Sequence, residues 1–234
     1  MKFTIKDYDL VLKELVNYLK TQSLYLSKNT DDGRINSIIN EYELTKVILN
    51  SYSNIKIFKE WNLVIDVQPS PRWWFDILIK NPTESFYCPI NIKISSFKNS
   101  SADNLSSKEG LFFALTGLVK NKCPITWDKY FKLLSTALKE NERDYYFLVI
   151  NKDDTNEIFF NSLKRLRVIV PNGNNLPFQC KWSDNKTIIN RTFKESKDFI
   201  LKNLAMSVLR RAKILDDFND AFHEYSISIN KIKE

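Results

Sequence analysis

Asp76, Asn91 and Lys93 are the residues of this chain whose types and spacing carry chemistry. Asp76 lies inside the apolar run WWFDILI, residues 73–79, and Asn91 and Lys93 lie two apart inside FYCPINIKISSF, residues 86–97. Both runs are rich in aromatic and β-branched residues, and KNPTES between them carries the turn-starting pair Asn-Pro, so they read as two strands. Residues two apart on a strand share a face, which puts Asn91 beside Lys93. Polar groups set into such runs are costly unless they are paired or hold a cation. Asp76, Asn91 and the Ile92 backbone carbonyl supply oxygen ligands of the kind that hold Mg2+. A neighbouring lysine orients water or steadies charge on a phosphate, and a bound cation lowers the pKa of water. Together these groups suit hydrolysis of a phosphodiester. The structural alternative is a salt bridge from Asp76 to Lys93 or Arg72.

The elements that must position these groups follow from periodicity. Residues 5–26 and 35–52 carry apolar residues at helical spacing. Glu41 and Glu43 flank the apolar face of the second helix on opposite sides, either as solvated charges or as an acid reaching over the sheet towards Asp76. NLVIDVQPS, residues 62–70, alternates as a strand. After the two central runs, a polar loop capped by Asp103 or Ser106 leads into a helix over 107–121, and a second helix covers 127–141. Strands are expected at 144–152, in EIFFNSL, at 165–170 and in the second half of 170–182, and a long helix or two over 192–225.

Composition narrows the function. The 234 residues are 43% hydrophobic with four glycines, enough to bury a core in one domain spanning 1–234. A net charge of +7 is compatible with a polyanionic partner. Cys88, Cys123 and Cys180 are scattered and odd in number, which disfavours a zinc site or a disulfide framework, and the single His223 disfavours histidine-based catalysis. MKFTIKDYDL has no signal-type apolar core and no run is long enough for a bilayer, so a cytoplasmic protein without membrane contact is expected.

FDILI, a gap and then PINIKIS resemble the PD-(D/E)xK nuclease superfamily, and within it the type II restriction endonucleases. The resemblance implies an α/β (α+β) fold with an αβααβ core, a central mixed five- or six-stranded sheet flanked by helices. It implies Mg2+-dependent hydrolysis of double-stranded DNA to 5′-phosphate ends, a homodimer, and a cognate DNA methyltransferase as genetic partner. By this resemblance Asp76 takes the family's Asp, Asn91-Ile92-Lys93 takes its (D/E)xK tripeptide, and Glu41 or Glu43 takes the acid of the upstream helix. Phe75 stands in place of the family's Pro. Asn91 stands in place of an acid, which removes one negative charge from the cation's ligands. Either Glu41, Glu43, Asp103 or Asp66 compensates, or the site has decayed into a DNA-binding one. A repair or junction nuclease of the same superfamily is the other enzymatic reading.

Sequence-specific cutting needs groups that read bases as well as groups that hold phosphates. Asn172, Asn174, Asn175, Gln179 and Lys181 form a candidate recognition segment, because Asn and Gln match adenine edges and Lys matches guanine. An ordinary Asn-Gly turn is the alternative. Lys98, Asn99, Ser101, Asp103 and Asn104 follow the site closely enough to meet the scissile backbone, and Arg191 heads a basic stretch of the last helix. Trp73 and Trp74 read as core or interface residues.

Overall fold

The computed structural model of the protein describes residues 3–24, 26, 33–98 and 102–228. Its centre is a five-stranded mixed sheet in the order β1-β2-β3-β5-β6. The strands are β1 (Val64–Val67), β2 (Ile77–Lys80), β3 (Tyr87–Ser95), β5 (Tyr146–Asn151) and β6 (Asp154–Ser162). β1 to β3 form an antiparallel meander, β3 pairs parallel with β5, and β6 returns antiparallel. A second sheet of three short strands, β4 (Asp103–Leu105), β7 (Val170–Pro171) and β8 (Phe178–Cys180), runs in the order β4-β8-β7.

Strand alternation sorts the side chains into two cores. Ile77, Ile79, Cys88, Ile90, Ile92, Tyr146, Leu148 and Ile150 face α1 (Ile5–Lys20), α2 (Gly33–Ser51) and α3 (Lys56–Glu60). Leu78, Tyr87, Phe147 and Val149 face α4 (Lys108–Thr116), α5 (Trp127–Ala137) and α6 (Phe193–Ala221). On α1, Tyr8, Val11, Leu12, Leu15, Val16 and Leu19 repeat at the spacing that lays one helical stripe on the sheet. Its Asp9 holds the fully buried Arg165 through two hydrogen bonds of 2.8 and 2.7 Å. The stripe of α6 that packs on the body, Ile200, Leu204 and Ser207, continues past it as the exposed Ile214 and Phe218.

Several sequence expectations shift. Of WWFDILI only Ile77 onward is strand; Trp73 to Asp76 is irregular, because the chain turns there to reach β2. The segment 165–170 is mostly non-strand, since Arg165 ends a 3-10 turn and only Val170 enters β7. The helix expected over 107–121 stops at Thr116, where Gly117 closes it with φ +70°. Its cap is Ser107, accepting from Gly110 N at 2.8 Å, and neither Asp103 nor Ser106. Asp103 instead begins β4.

Gly110 lets α4 approach the strand that follows it. A Cβ at this position would lie 2.6 Å from two ring carbons of Tyr145. Gly110→Ala is therefore expected to lower stability by about 1–3 kcal/mol through overpacking, as read by denaturant unfolding. Unchanged stability would show that the ring moves aside freely.

Candidate active site

The site forms where β2 and β3 part. Their ladder begins with Ile77 opposite Ile90, and Asp76 sits one residue before it. Asp76 N donates to Ile90 O at 2.9 Å, and Gln68 N donates to Asp76 O at 2.9 Å. The Asp76 carboxylate accepts from Ile92 N at 2.6 Å through Oδ2. Beyond Ile90, β3 has no strand partner on this side among the described residues, and the side-chain oxygen takes the place of one.

By alternation Asn91 and Lys93 lie on the sheet face opposite Ile90 and Ile92, while Asp76, just before β2, turns its carboxylate onto Ile92 N at the strand edge and does not line the cavity that they border. Asn91 and Lys93 line a cavity of about 390 Å³. Its other walls are the loop Arg72–Trp74, Asn104 and Leu105 of β4, Ser106, Ser107 and Glu109 at the head of α4, and Tyr145 and Phe147. Tyr145 is anchored by its hydroxyl, which donates to Trp74 O at 2.5 Å. The cavity is of small-ligand size, so a duplex would present backbone groups to it rather than enter.

Asp76 belongs to none of the ion pairs among the described residues, so the expected alternative of a bridge to Lys93 or Arg72 is not formed. Burial pushes its carboxyl above the usual carboxylate range, while the Ile92 N–H and the Lys93 charge offset part of that rise. Among the described residues three buried side-chain polar atoms lack a hydrogen-bond partner, and two of them, Asn91 Oδ1 and Trp73 Nε1, belong to residues of this cavity. A buried carboxamide oxygen left unpaired costs free energy until a cation or donor meets it.

No protein-family model matches the sequence, and no curated protein is significantly similar to it. The assignment therefore rests on the residues themselves. Among the described residues no group of three His, Cys, Asp or Glu side chains is arranged for a metal. The donor set that fits a hard cation is the Asp76 carboxylate, the unpaired Asn91 Oδ1 and the Ile92 carbonyl, all oxygen.

The structure does not gather all the expected residues. α2 packs Leu44 and Ile48 into the core of the opposite sheet face. Glu43 is exposed and paired with Lys46 at 3.1 Å, and Glu41 is half-buried. Neither lines the cavity. Asp66 pairs with Lys80 at 3.0 Å. Asp103 accepts from Trp182 Nε1 at 2.7 Å, which ties β4 to the body. The acid that does line the cavity is Glu109, whose Oε1 accepts from Cys123 N at 2.8 Å. Its sequence signal was an acid in the first turn of the helix after the site, easily taken for a favourable helix-dipole charge.

Of the candidate recognition residues, Asn104, Asn172 and Gln179 meet on the small sheet. Asn172 Nδ2 donates to Asn104 Oδ1 at 3.1 Å and to Gln179 Oε1 at 3.0 Å. Its Oδ1 accepts from Asn174 N and Asn175 N at 3.0 and 3.2 Å. That saturates the Asn172 side chain, so it positions the cluster and has no atom left for a base. Asn104 reaches the cavity, and Asn174 and Asn175 are exposed. Lys181 follows β8 and precedes a 3-10 turn, and Lys98 is exposed beyond β3. Arg191 is spent on structure: its guanidinium donates to Lys164 O and Leu166 O at 3.1 and 2.9 Å and stacks on Phe199. Asn99 and Ser101 lie outside the described residues.

A folded-state pKa above the unfolded one makes ionisation of Asp76 oppose folding. That penalty is absent below the unfolded pKa, grows as pH rises through the folded one and is full above it. Asp76→Asn stays neutral and its carboxamide oxygen can still accept from Ile92. In metal-free buffer it is expected to melt above the parent at neutral pH, with the gap closing on acidification. Thermal melts across pH test this, and a gap independent of pH would contradict it.

Proposed function

We propose that the protein is a Mg2+-dependent endonuclease that cuts double-stranded DNA at specific sites, in the manner of a type II restriction enzyme. The observation that carries this reading is the unpaired buried Asn91 oxygen in a cavity shared with Lys93, beside the β2–β3 fork that Asp76 holds through Ile92 N. The order α2, α3, β1–β3, β4, α4, α5, β5 supports it, since with the short α3 and β4 set aside it has the helix–strand–helix–helix–strand succession that the resemblance implies.

The chemistry follows from these groups. Asp76 commits Oδ2 to the Ile92 N–H, and its second oxygen, Asn91 Oδ1 and the Ile92 carbonyl are the groups that would hold a cation. A bound Mg2+ would neutralise phosphate charge and lower the pKa of a coordinated water. Lys93 aligns the attacking water and balances negative charge gathering on the phosphate oxygens. Water oxygen bonds to phosphorus, the bond from phosphorus to the 3′ oxygen breaks, and that oxygen leaves as a hydroxyl. The products are a 5′-phosphate and a 3′-hydroxyl. Asn104 and Gln179, both bonded to Asn172, would read bases beside the cut. Cutting both strands calls for two copies, and the exposed stripe Ile214 and Phe218 of α6 is a face suited to the partner. A methyltransferase encoded nearby would protect the host's own sites.

With Mg2+, plasmid DNA is expected to give discrete fragments. Asp76→Ala and Lys93→Ala should each slow cutting by about 10²-fold or more while DNA binding in Ca2+ persists. An Asp76→Ala protein that still cuts would overturn the assignment, and preference for branched DNA would move it to a junction nuclease. The absence of a three-acid cluster among the described residues favours a second reading, a DNA-binding protein without cleavage. It predicts binding without cutting in any divalent metal.

Asn91→Asp separates these further. Replacing the neutral ligand by a carboxylate should lower the Mg2+ concentration for half-maximal cleavage. A metal titration in which this midpoint stays fixed or rises would show that Asn91 is not a ligand.

A further inference from the structure

We infer that Arg72 and Trp73 form a phosphate-holding corner of the cavity, the guanidinium and the indole N–H taking non-bridging oxygens of a nucleic-acid backbone. The identity of the anion rests on the nuclease reading; the corner itself rests on three observations.

The first is strain. Trp73 N donates to Ser70 O at 3.3 Å across Pro71 and Arg72, and Arg72 has φ +64°. Proline second and positive φ third is the pattern of a type II turn, whose third position is normally glycine. An L-residue there is disfavoured by contact between Cβ and the backbone. Two other non-glycine residues share positive φ, and each has an evident reason. Asn62 is of a type that tolerates it, and Glu84 pairs with Lys80 while its carbonyl accepts from Arg143. Arg72 has no such reason: among the described residues its side chain is in no ion pair. Strain kept for a side chain that holds nothing within the protein points to something held from outside.

The second is an unmet donor. Trp73 Nε1 is buried and has no acceptor. An indole nitrogen can only donate, so the group that completes it must be an acceptor such as a phosphate oxygen. Trp74 beside it does have one, Asn121 Oδ1 at 3.4 Å. The Trp73 ring is set edge-on to Phe75, with centroids 6.3 Å apart, and Trp73 lines the cavity beside Arg72.

The third is the balance of charge. Arg72 and Lys93 line the same cavity, and the one carboxylate lining it, Glu109, is tied to Cys123 N. A guanidinium fork suits phosphate better than a point charge, and charge-assisted hydrogen bonds to an anion are the strong ones.

The test uses the full chain, a fluorescein-labelled 20-base-pair duplex and anisotropy titrations without divalent metal over a range of salt. Arg72→Gly removes the charge and relieves the turn. It is expected to melt at or above the parent yet bind about tenfold more weakly, with the salt slope reduced by about 0.9, the value for one phosphate. At position 73, β-(3-benzothienyl)alanine keeps the bicyclic shape and lacks the N–H, and a loss of about tenfold is again expected. A merely structural turn predicts the gain in melting temperature with binding unchanged. Binding by both variants within twofold of the parent, at unchanged slope, overturns the inference. If the parent cuts plasmid while the variants bind as it does, the corner fails and the nuclease reading stands. If the parent never cuts in Mg2+ while the variants lose binding as expected, the nuclease reading fails and the corner stands.

Discussion

One hydrogen bond holds the site open: Asp76 Oδ2 accepting from Ile92 N at the point where β2 leaves β3. A strand edge that loses its neighbour exposes backbone donors, and a buried donor without a partner is costly. The carboxylate satisfies that donor without continuing the strand, so the sheet can fork instead of closing. The same residue binds Ile90 O through its own N–H and receives Gln68 N on its carbonyl. Three contacts from one position therefore join the end of β1, the start of β2 and the middle of β3. Everything that lines the cavity from the loop before β2 is placed by that junction.

The cost is a buried anion with no ion-pair partner among the described residues, and it shows in the raised carboxyl pKa. The sheet confines the cost to one edge of one face. On the other face Ile90 and Ile92 sit in continuous apolar packing with α1 and α2. The polar face is shielded instead by Trp74, Tyr145 and Phe147, with Tyr145 fastened to Trp74 O. Rigid apolar packing behind and aromatic walls in front hold three polar groups still without pairing them off.

What the sequence made legible was the local part. Alternation in YCPINIKIS gave both the strand and the shared face of Asn91 and Lys93, because period-two patterning is a property of neighbours. The five central strands and the long helices were readable for the same reason, and the central sheet has the expected mixed character. The loop Trp73–Asp76 was misjudged as strand because its aromatic content matches strand composition, while its course is set by distant Tyr145. Glu41 and Glu43 stand on a helix that packs against the other sheet face and do not line the cavity, which helical phase alone cannot reveal. Glu109 was overlooked because its nearness to Asn91 depends on how α4 docks, through a glycine contact with no trace in periodicity. The small sheet was half visible: β8 was anticipated, but β4 looked like a polar loop because its three residues satisfy one another only across the chain.

The parallel pairing of β3 with β5 has a further consequence, for the timing of assembly. Asp76, Asn91 and Lys93 come from one meander whose contacts are close in sequence, whereas Tyr145 and Phe147 arrive only after a crossover through α4 and α5. Such long-range pairings form late, since the chain entropy of closing the intervening segment must be overcome first. On that order Asp76, Asn91 and Lys93 would come into register before the enclosure around them, whose walls would close only once β5 has docked.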